Sequence, residues 1–243
     1  MRILLKLSYN GKDFHGFQYQ HHYRTVQGVI EKALKKMHKM SVRIHASSRT
    51  DRGVHALEQY CHFDTDLNIE PDKWQYILNR NLPDDMNIEE VKEVSTDFHS
   101  RFHSKGKTYR YRIYTTEAVN PFYFGLKTHY PGKLDKQKMQ EAMNPFIGTH
   151  DFTSFSSAKA EIKNKVRNIS EFRIEETQDG FDFVITGSGF LYNMVRIMVA
   201  YVVQVGAAKR EAATEEIMSK KDRTIVPRTA PAEGLYLEKV YFE

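Results

Sequence analysis

Apolar and polar residues alternate over the first residues of the chain in the way that a half-buried β-strand requires. Every second position from Ile3 to Tyr9 is apolar, and the Asn10-Gly11 pair that follows is a common turn sequence. Apolar residues then recur at helical spacing from Val26 to Met37, with Thr25 placed to cap the first turn. These patterns predict a strand followed by an amphipathic helix.

The same two periodicities predict the rest of the secondary structure. The predicted elements are strands at 42–47, 60–63, 86–94, 107–114 and 235–242, helices from Pro71 onward and at 136–146, 190–205 and 211–220, and a hairpin that turns at Asp179-Gly180. Strands and helices follow a similar order in both parts of the chain. We therefore predict an α/β (α+β) fold of two similar lobes, 1–103 and 104–243, each a mostly antiparallel mixed sheet covered by helices.

Composition narrows the setting in which the protein works. Lys and Arg total 36 against 31 Asp and Glu, and the resulting net charge of +5 favours an anionic partner without identifying it. The only cysteine, Cys61, excludes an intrachain disulfide and thiolate-rich zinc sites. The most apolar stretch, 190–205, is too short for a membrane span, and the N-terminal apolar run is too short for a signal peptide. We expect a soluble cytoplasmic protein.

Charged residues are concentrated in the segment Ser47–Ala56, between two predicted strands. Asp51 followed by Arg52-Gly53 has the composition of a simple turn, in which the carboxylate bonds to nearby backbone amides. In a second interpretation, Arg49, Arg52 and His55 surround a catalytic carboxylate, because guanidiniums favour the ionised form that acts as nucleophile or base. The residues alone leave both interpretations open.

A further arginine, Arg196, lies inside the predicted apolar helix at 190–205. Its guanidinium must extend to the surface or meet a buried carboxylate, because an unpaired buried charge is very costly. The first alternative makes Arg196 an ordinary snorkelling side chain. The second pairs it with Asp51 across a cleft.

Aromatic and basic residues alternate along the predicted strand 107–114. Tyr109 and Tyr111 face one side of that strand, and Arg110 and Arg112 face the other. Bases stack on aromatic rings and phosphates pair with arginine, so such a strand suits single-stranded or flipped-out RNA. A half-buried strand with aromatic core contacts would show the same pattern.

The sequence offers no motif for a metal or a nucleotide cofactor. Its 11 histidines, including the His21-His22 pair, lack the spacing of a metal site. The adjacent Asp84-Asp85 is better explained by a turn than by paired catalytic carboxylates. Gly187 and Gly189 do not complete a dinucleotide motif, and no glycine-rich phosphate loop with lysine is present. We expect no metal and no cofactor.

The segment Arg49–Ala56 strongly resembles the signature of the tRNA pseudouridine synthase A family. The likeness runs nearly end to end. The other matching segments are 9–11 with Phe14, Gly16, Phe17 and Gln18, then 25–28, 81–83, 101–102, 109–111, 148–152, 189–191, 194–196 and 230–235. So many ordered matches make chance resemblance implausible.

The resemblance implies a role for several residues. Asp51 would be the catalytic nucleophile, Tyr109 would stack against the target base, and Arg196 would pair with the Asp51 carboxylate. Arg49 resembles the family's arginine that helps to extrude the target nucleotide, and Leu235 would line the base pocket. The predicted catalytic residues are therefore Asp51, Arg196 and Tyr109, and the predicted RNA-binding residues are Arg49, Arg52, His55, Arg110, Tyr111 and Leu235.

The family likeness also implies an activity and a partner. It implies two α/β lobes around a basic RNA-binding cleft, working as a homodimer that isomerises uridine to pseudouridine at positions 38, 39 and/or 40 of the tRNA anticodon stem-loop. This reaction breaks a glycosidic bond, turns the uracil and rejoins it through carbon without redox change. Asp51 would act as a nucleophile or take a proton from the ribose, and the sequence does not choose between these roles.

Three positions depart from the family pattern. Ser48 and Ala200 stand where glycine is common, and Phe17 stands where tryptophan is usual. None of these changes removes a chemical group from the predicted site. They leave room for a catalytically silent or retargeted RNA-binding paralogue. A hydrolase that releases uracil is a further alternative, although it would normally need a second carboxylate and a positioned water.

Overall fold

The computed structural model describes residues 1–159 and 162–242. Its strands and helices, in chain order, are β1 (Arg2–Tyr9), α1 (Val26–His38), β2 (His45–Ala46), β3 (His55–Asp64), α2 (Pro71–Asn79), β4 (Met86–Val94), β5 (Gly106–Tyr114), β6 (Thr128–His129), α3 (Lys136–Met143), β7 (Gly148–Asp151), β8 (Val166–Glu176), β9 (Gly180–Gly187), α4 (Met194–Gly206), α5 (Thr214–Lys220) and β10 (Leu235–Tyr241). Short 3-10 turns connect several of these elements. The element types confirm the predicted fold class.

The chain divides into two compact units. Unit 1 comprises Met1–Lys105 together with the chain from Tyr236 onward, and unit 2 comprises Gly106–Leu235. The change of unit after Lys105 lies close to the boundary predicted between residues 103 and 104. The prediction placed the last strand in the second lobe, whereas the contacts of β10 from Tyr236 onward belong to unit 1.

Unit 1 is a mixed sheet with the strand order β4-β1-β3-β10, and β2 lies beside β3. β1 runs antiparallel to β3 and β4, while β10 runs parallel to β3. The alternating apolar residues of β1 are buried, because side chains on a strand point to opposite faces in turn. The register sets Leu5 opposite both Cys61 and Val91, which fixes the central strand between its neighbours.

Helix α1 begins at the predicted residue with the predicted cap and ends at His38, one residue beyond the predicted Met37. The Thr25 hydroxyl accepts a hydrogen bond from the Gly28 amide at 3.2 Å, which satisfies one of the free donors of the first turn. Val26, Ile30 and Leu34 are fully buried, as their helical spacing requires. In α2, Pro71 occupies the first turn, where its missing N–H costs nothing.

Unit 2 contains an antiparallel sheet with the strand order β5-β9-β8-β7, and β6 pairs in parallel with β5. The predicted hairpin is present as β8 and β9, which are joined through Asp179 and Gly180. A Cβ at Gly180 would lie 2.3 Å from the carbonyl oxygen of Ile113, so only glycine permits this approach of the turn to β5.

Several predicted boundaries were wrong by three residues or more. The helix expected at 136–146 ends at Met143, where a 3-10 turn begins. The strand expected at 42–47 is reduced to His45–Ala46. The helix expected from residue 211 begins at Thr214. The helix expected from Phe190 begins at Met194, because Asn193 adopts a left-handed conformation (φ 60°) that no helix can include. Arg196 therefore lies in the first turn of α4 and not in the middle of an apolar helix.

Candidate active site

Asp51 belongs to a loop that the neighbouring strand holds at its start. This Asp51 loop (residues 47–54) leads from β2 into β3. The Ser47 hydroxyl donates to the side-chain oxygen of Gln59 at 2.7 Å, and the Gln59 amide donates to the Ser48 carbonyl at 3.0 Å. Gln59 is completely buried, so these bonds form where water does not compete.

The segment that follows β1 holds the middle of the Asp51 loop. The Phe17 amide donates to the Thr50 carbonyl at 3.0 Å, and the Gly53 amide donates to the Phe14 carbonyl at 3.2 Å. The Thr50 and Tyr9 hydroxyls are hydrogen-bonded at 2.8 Å. Residues on both sides of Asp51 are therefore fixed by the backbone.

Gly16 permits the close approach of these two segments. Its φ of 83° is unfavourable for other residues, and a Cβ there would lie 2.8 Å from the Thr50 carbonyl oxygen. Any larger residue would displace the backbone next to Asp51. The segment around Gly16, one of those that resemble the family, therefore supports the backbone of the Asp51 loop.

The side chains of the Asp51 loop differ in exposure. Asp51 is half-buried, whereas Arg49 and Arg52 are exposed. Among the residues that the structure describes, no carboxylate oxygen lies within ion-pair distance of either arginine. Their positive charges are consequently available to an anion from outside the loop, such as an RNA phosphate.

His55 directly follows the Asp51 loop as the first residue of β3, and it is buried. Its Nδ1 accepts a hydrogen bond from the Gly11 amide at 3.0 Å, and its ring stacks on Tyr236 with centroids 4.4 Å apart. A Cβ at Gly11 would lie 1.9 Å from the Val54 carbonyl oxygen, so this contact is also tight. These contacts explain the position of His55 structurally and lend no support to the predicted RNA contact.

In unit 2, Tyr109 lies on β5 with 7% of its surface exposed. The Tyr109 and Phe190 rings form an edge-to-face contact with a centroid distance of 5.0 Å and an interplanar angle of 83°. Such an edge-to-face contact restricts the orientation of the tyrosine ring. A ring held in this way can present a face to a base without first losing side-chain entropy.

Arg196 is half-buried in the first turn of α4. Its Nε donates to the Ala230 carbonyl at 2.8 Å, and its guanidinium donates to the Asn193 side-chain oxygen at 2.9 Å. The Ala230 amide donates back to the Arg196 carbonyl at 3.1 Å. These bonds orient the guanidinium within unit 2.

Two other predicted RNA-binding residues of β5 have partners inside unit 2. Arg110 bonds to Glu175 at 2.5 Å and to Asp182 at 3.1 Å. The hydroxyl of Tyr111 is bonded to the Thr128 hydroxyl at 2.7 Å and to the Pro231 carbonyl at 2.9 Å. Tyr111 is fully buried, and burial raises the pKa of its hydroxyl.

Leu235, the remaining predicted pocket residue, is 6% exposed. It follows Gly234, where a Cβ would lie 2.8 Å from the Tyr111 ring. This crowding places the start of β10 firmly against the Tyr111 side of unit 2.

Comparison with known proteins identifies the family. A family model described as tRNA pseudouridine synthase matches residues 7–103 and 142–243. The chain is 56% identical over 242 residues to tRNA pseudouridine synthase A of Staphylococcus saprophyticus subsp. saprophyticus, covering 99% of this chain and 91% of the relative. The chain belongs to the tRNA pseudouridine synthase family.

A second relative agrees with this assignment. The tRNA pseudouridine synthase A of Staphylococcus carnosus is 57% identical over 242 residues, covering 99% of this chain and 91% of the relative. The match to a crystal structure of a Cbf5-Nop10-Gar1 complex covers 82% of this chain and 54% of the solved chain, with 10% identity and a TM-score of 0.37. The predicted enzyme class, an isomerase, is confirmed, and the relatives support uridine isomerisation in tRNA as the reaction.

The family model covers Asp51 and Arg196 but leaves Tyr109 between its matched segments. Sequence reasoning missed three residues that shape the site of this pseudouridine synthase. Gln59 could have been found, because it shares the buried register of Cys61 and Phe63 in β3, where a polar residue is unusual. Phe190 and Asn193 gave no such signal, since their roles depend on the backbone turn before α4.

Cys61, the only cysteine of the chain, is buried. Burial raises the pKa of the Cys61 thiol, so this cysteine is a poor nucleophile. Within the described ranges, no group of three or more His, Cys, Asp and Glu side chains is placed to hold a metal ion. No described helix is both long and apolar enough to cross a membrane.

Proposed function

We propose that this protein isomerises uridine to pseudouridine in the anticodon stem-loop of tRNA, at positions 38, 39 and/or 40, with Asp51 as the catalytic carboxylate. The observation that carries the proposal is the Asp51 loop itself. A half-buried carboxylate stands between two exposed arginines on a loop fixed from both sides, in a chain of the tRNA pseudouridine synthase family. A rigid loop of this kind suits catalysis, which needs precise placement of the reacting group.

The reaction leaves Asp51 one of two tasks. The bond between the ribose C1′ and the uracil N1 breaks, the uracil turns, and a bond forms between C1′ and C5. Asp51 either attacks C1′ and is later displaced, or it removes a proton from the ribose and returns one. In both cases the C5 proton is lost and N1 gains a proton, so the overall change is an isomerisation.

Tyr109 and Arg196 would serve the same uridine. The Tyr109 ring, in edge-to-face contact with Phe190, is suited to stack against the extruded base. The Arg196 guanidinium is suited to stabilise a carboxylate, because two oriented hydrogen bonds already fix its direction. Its pairing with Asp51 is a proposal that rests on the family resemblance.

The predicted RNA-binding residues would contribute in two ways. Arg49 and Arg52 are exposed, so they would contact the RNA backbone and assist extrusion of the target nucleotide. His55, Arg110, Tyr111 and Leu235 would act by holding the elements that carry the site, since each is buried or bonded within its own unit. We further propose that the enzyme works as a homodimer in the cytoplasm.

The decisive experiment is an assay on an unmodified tRNA transcript. Wild-type protein should place pseudouridine, mapped by chemical labelling, in the anticodon stem-loop. Asp51→Ala should form none while still binding tRNA, and Arg196→Met should be strongly impaired. Asp84→Asn, which changes an exposed carboxylate, is the matched control and should retain activity.

Each alternative has its own outcome in this assay. Tight tRNA binding without product would support a silent or retargeted paralogue. Release of free uracil would support the hydrolase. Full activity in Asp51→Ala would overturn the assignment of the catalytic carboxylate.

A further inference from the structure

The arginines of the unit 2 sheet differ in how their charge is balanced. Arg110 and Arg112 lie beside Asp182, at 3.1 and 3.6 Å, and Arg173 is paired with Glu171 at 3.0 Å and Glu175 at 2.9 Å. These arginines and carboxylates form one neutralised network across neighbouring strands.

Arg167, at the start of β8, has no such counter-charge among the described residues. Within the described ranges, its guanidinium donates to two backbone carbonyls, those of Asn164 at 3.1 Å and Val166 at 2.6 Å. Burial lowers the pKa of Arg167, as expected for a cation that is partly desolvated. A half-buried guanidinium of this kind gains more from an incoming anion than a fully hydrated one does.

The strand register places Arg167 on the same face of the sheet as Tyr109. Tyr109 lies opposite Ile185, and Ile185 lies opposite Phe172. Two residues further along β9, Gly187 is on the same face as Ile185 and lies opposite Ile169. Arg167 is two residues before Ile169 on β8, so its side chain shares that face.

An irregularity in β8 separates Arg167 from the neutralised network. The register shifts between Ile169 and Glu171, which reverses the alternation of side chains along the strand. As a result Arg167 and Arg173, six residues apart on one strand, point to opposite faces of the sheet.

The Arg167 side chain packs next to the glycine that precedes Phe190, the residue whose ring contacts Tyr109. A Cβ at Gly189 would lie 3.9 Å from both Cδ and Nε of Arg167, so the arginine passes over this glycine. Gly189 directly precedes Phe190, whose ring contacts Tyr109. The Ser188 amide donates to the Asn168 carbonyl at 3.0 Å, which ties this turn to β8.

We propose that Arg167 binds a phosphate of the RNA strand beside the nucleotide whose base stacks on Tyr109. This inference rests on the proposed function, because it needs an RNA base on that ring. A base cannot leave its helix without moving the phosphates on either side of it. A forked guanidinium on the same face as the stacking ring is placed to hold one of them.

The test compares two arginines of β8 by measuring tRNA binding at several NaCl concentrations. Arg167→Gln removes the proposed phosphate contact, and Arg173→Gln is the matched control, because its charge is neutralised on the other face. Neutralising one phosphate contributes about 0.9 to the slope of log K against log salt. Arg167→Gln should lose roughly that amount of slope and about tenfold in affinity at low salt.

Steady-state kinetics separate a phosphate contact from a purely structural role. Arg167→Gln should raise KM with a smaller change in kcat, and Arg167→Lys should restore much of the salt slope because it keeps the charge. An unchanged slope in Arg167→Gln, or an equal loss in Arg173→Gln, would overturn the inference and leave the proposed function standing. A wild-type protein that binds tRNA in neither assay would overturn the proposed function and, with it, this inference.

Discussion

Asp51 and Asp182 each have two arginines nearby, Asp51 along the sequence of a loop in unit 1 and Asp182 across the strands of the sheet in unit 2. Asp182 is 5% exposed and has its arginines, Arg110 and Arg112, on a neighbouring strand. Asp51 is half-buried and has Arg49 and Arg52 as near neighbours in sequence, both with exposed side chains. Both groups consist of one aspartate and two arginines, but the charges are paired at Asp182 and the arginines are exposed at Asp51.

The difference shows what an arginine does for a carboxylate in each setting. In the sheet, opposite charges cancel and hold the strands together, so little charge remains for a ligand. In the loop, backbone hydrogen bonds do the holding, and the arginines keep their charge for an incoming anion. A cluster of charged residues in the sequence therefore indicates a binding or catalytic role only where other contacts, such as backbone hydrogen bonds, hold the structure.

The largest expected effect comes from Asp51→Asn. This change should lower kcat by roughly 10³-fold or more, the scale observed when a reacting group is lost, and leave the unfolding midpoint unchanged. Pseudouridine formation at saturating tRNA and urea denaturation would measure both quantities. A large loss of stability would show that Asp51, like Asp182, is mainly structural.

Arg49→Gln should have the next largest effect. It removes an exposed charge that is proposed to assist nucleotide extrusion, so kcat/KM should fall by about 100-fold, near 2.7 kcal/mol of transition-state stabilisation. Arg43→Gln, another exposed arginine of unit 1, is the control. Equal kinetics for the two variants would place Arg49 outside the site.

Asp182→Asn should have the opposite effect to Asp51→Asn, lowering stability and leaving turnover intact. It leaves Arg110 and Arg112 without their buried partner, so the free energy of unfolding should fall by about 2 kcal/mol, a figure reduced for the partial exposure of both arginines. Activity per folded molecule should stay near that of the wild type. Normal stability together with lost turnover would break the comparison between the two aspartates.

The smallest effect should appear in the acid stability of the sheet network. The hydrogen bond from Arg110 lowers the pKa of Glu175 below its ordinary value of 4.5. A depressed carboxyl pKa stabilises the fold above that ordinary value, and the contribution disappears as the pH falls through the lower folded-state pKa. Urea denaturation between pH 7 and pH 3 should therefore show a shallower acid loss in Glu175→Gln. Identical pH profiles would remove Glu175 from the network.

Local patterns were sufficient for much of the fold. Helix α1 could be predicted because its cap and its apolar spacing act within a few residues. The start of α4 could not, since apolar residues continue through the turn that Asn193 makes. Because of that error, Arg196 was predicted in the middle of a helix. It lies in the first turn of α4 and is hydrogen-bonded to Asn193 and to Ala230, which is 34 residues away in the sequence.

The candidate site shows the same limit. The charged residues around Asp51 were visible in the sequence, together with the family signature that includes them. Gln59 could have been found as a polar residue in a buried register, but its bond to the Ser48 carbonyl could not. The bond from the Phe17 amide to the loop could not be recognised either, because it joins segments that are distant in the sequence. The unequal settings of Arg167 and Arg173 arise from a register shift in β8 that leaves no trace in composition.

The position of β10 affects the order in which the protein can fold during translation. Residues Tyr236 and Leu237 pair with His55 and Ala56, so unit 1 is completed by a strand that is synthesised after all of unit 2. During translation, unit 2 can fold while β3 still lacks this neighbour, and His55 has no Tyr236 to stack on. The start of β3, directly after the Asp51 loop, therefore gains its β10 neighbour only once unit 2 has been synthesised.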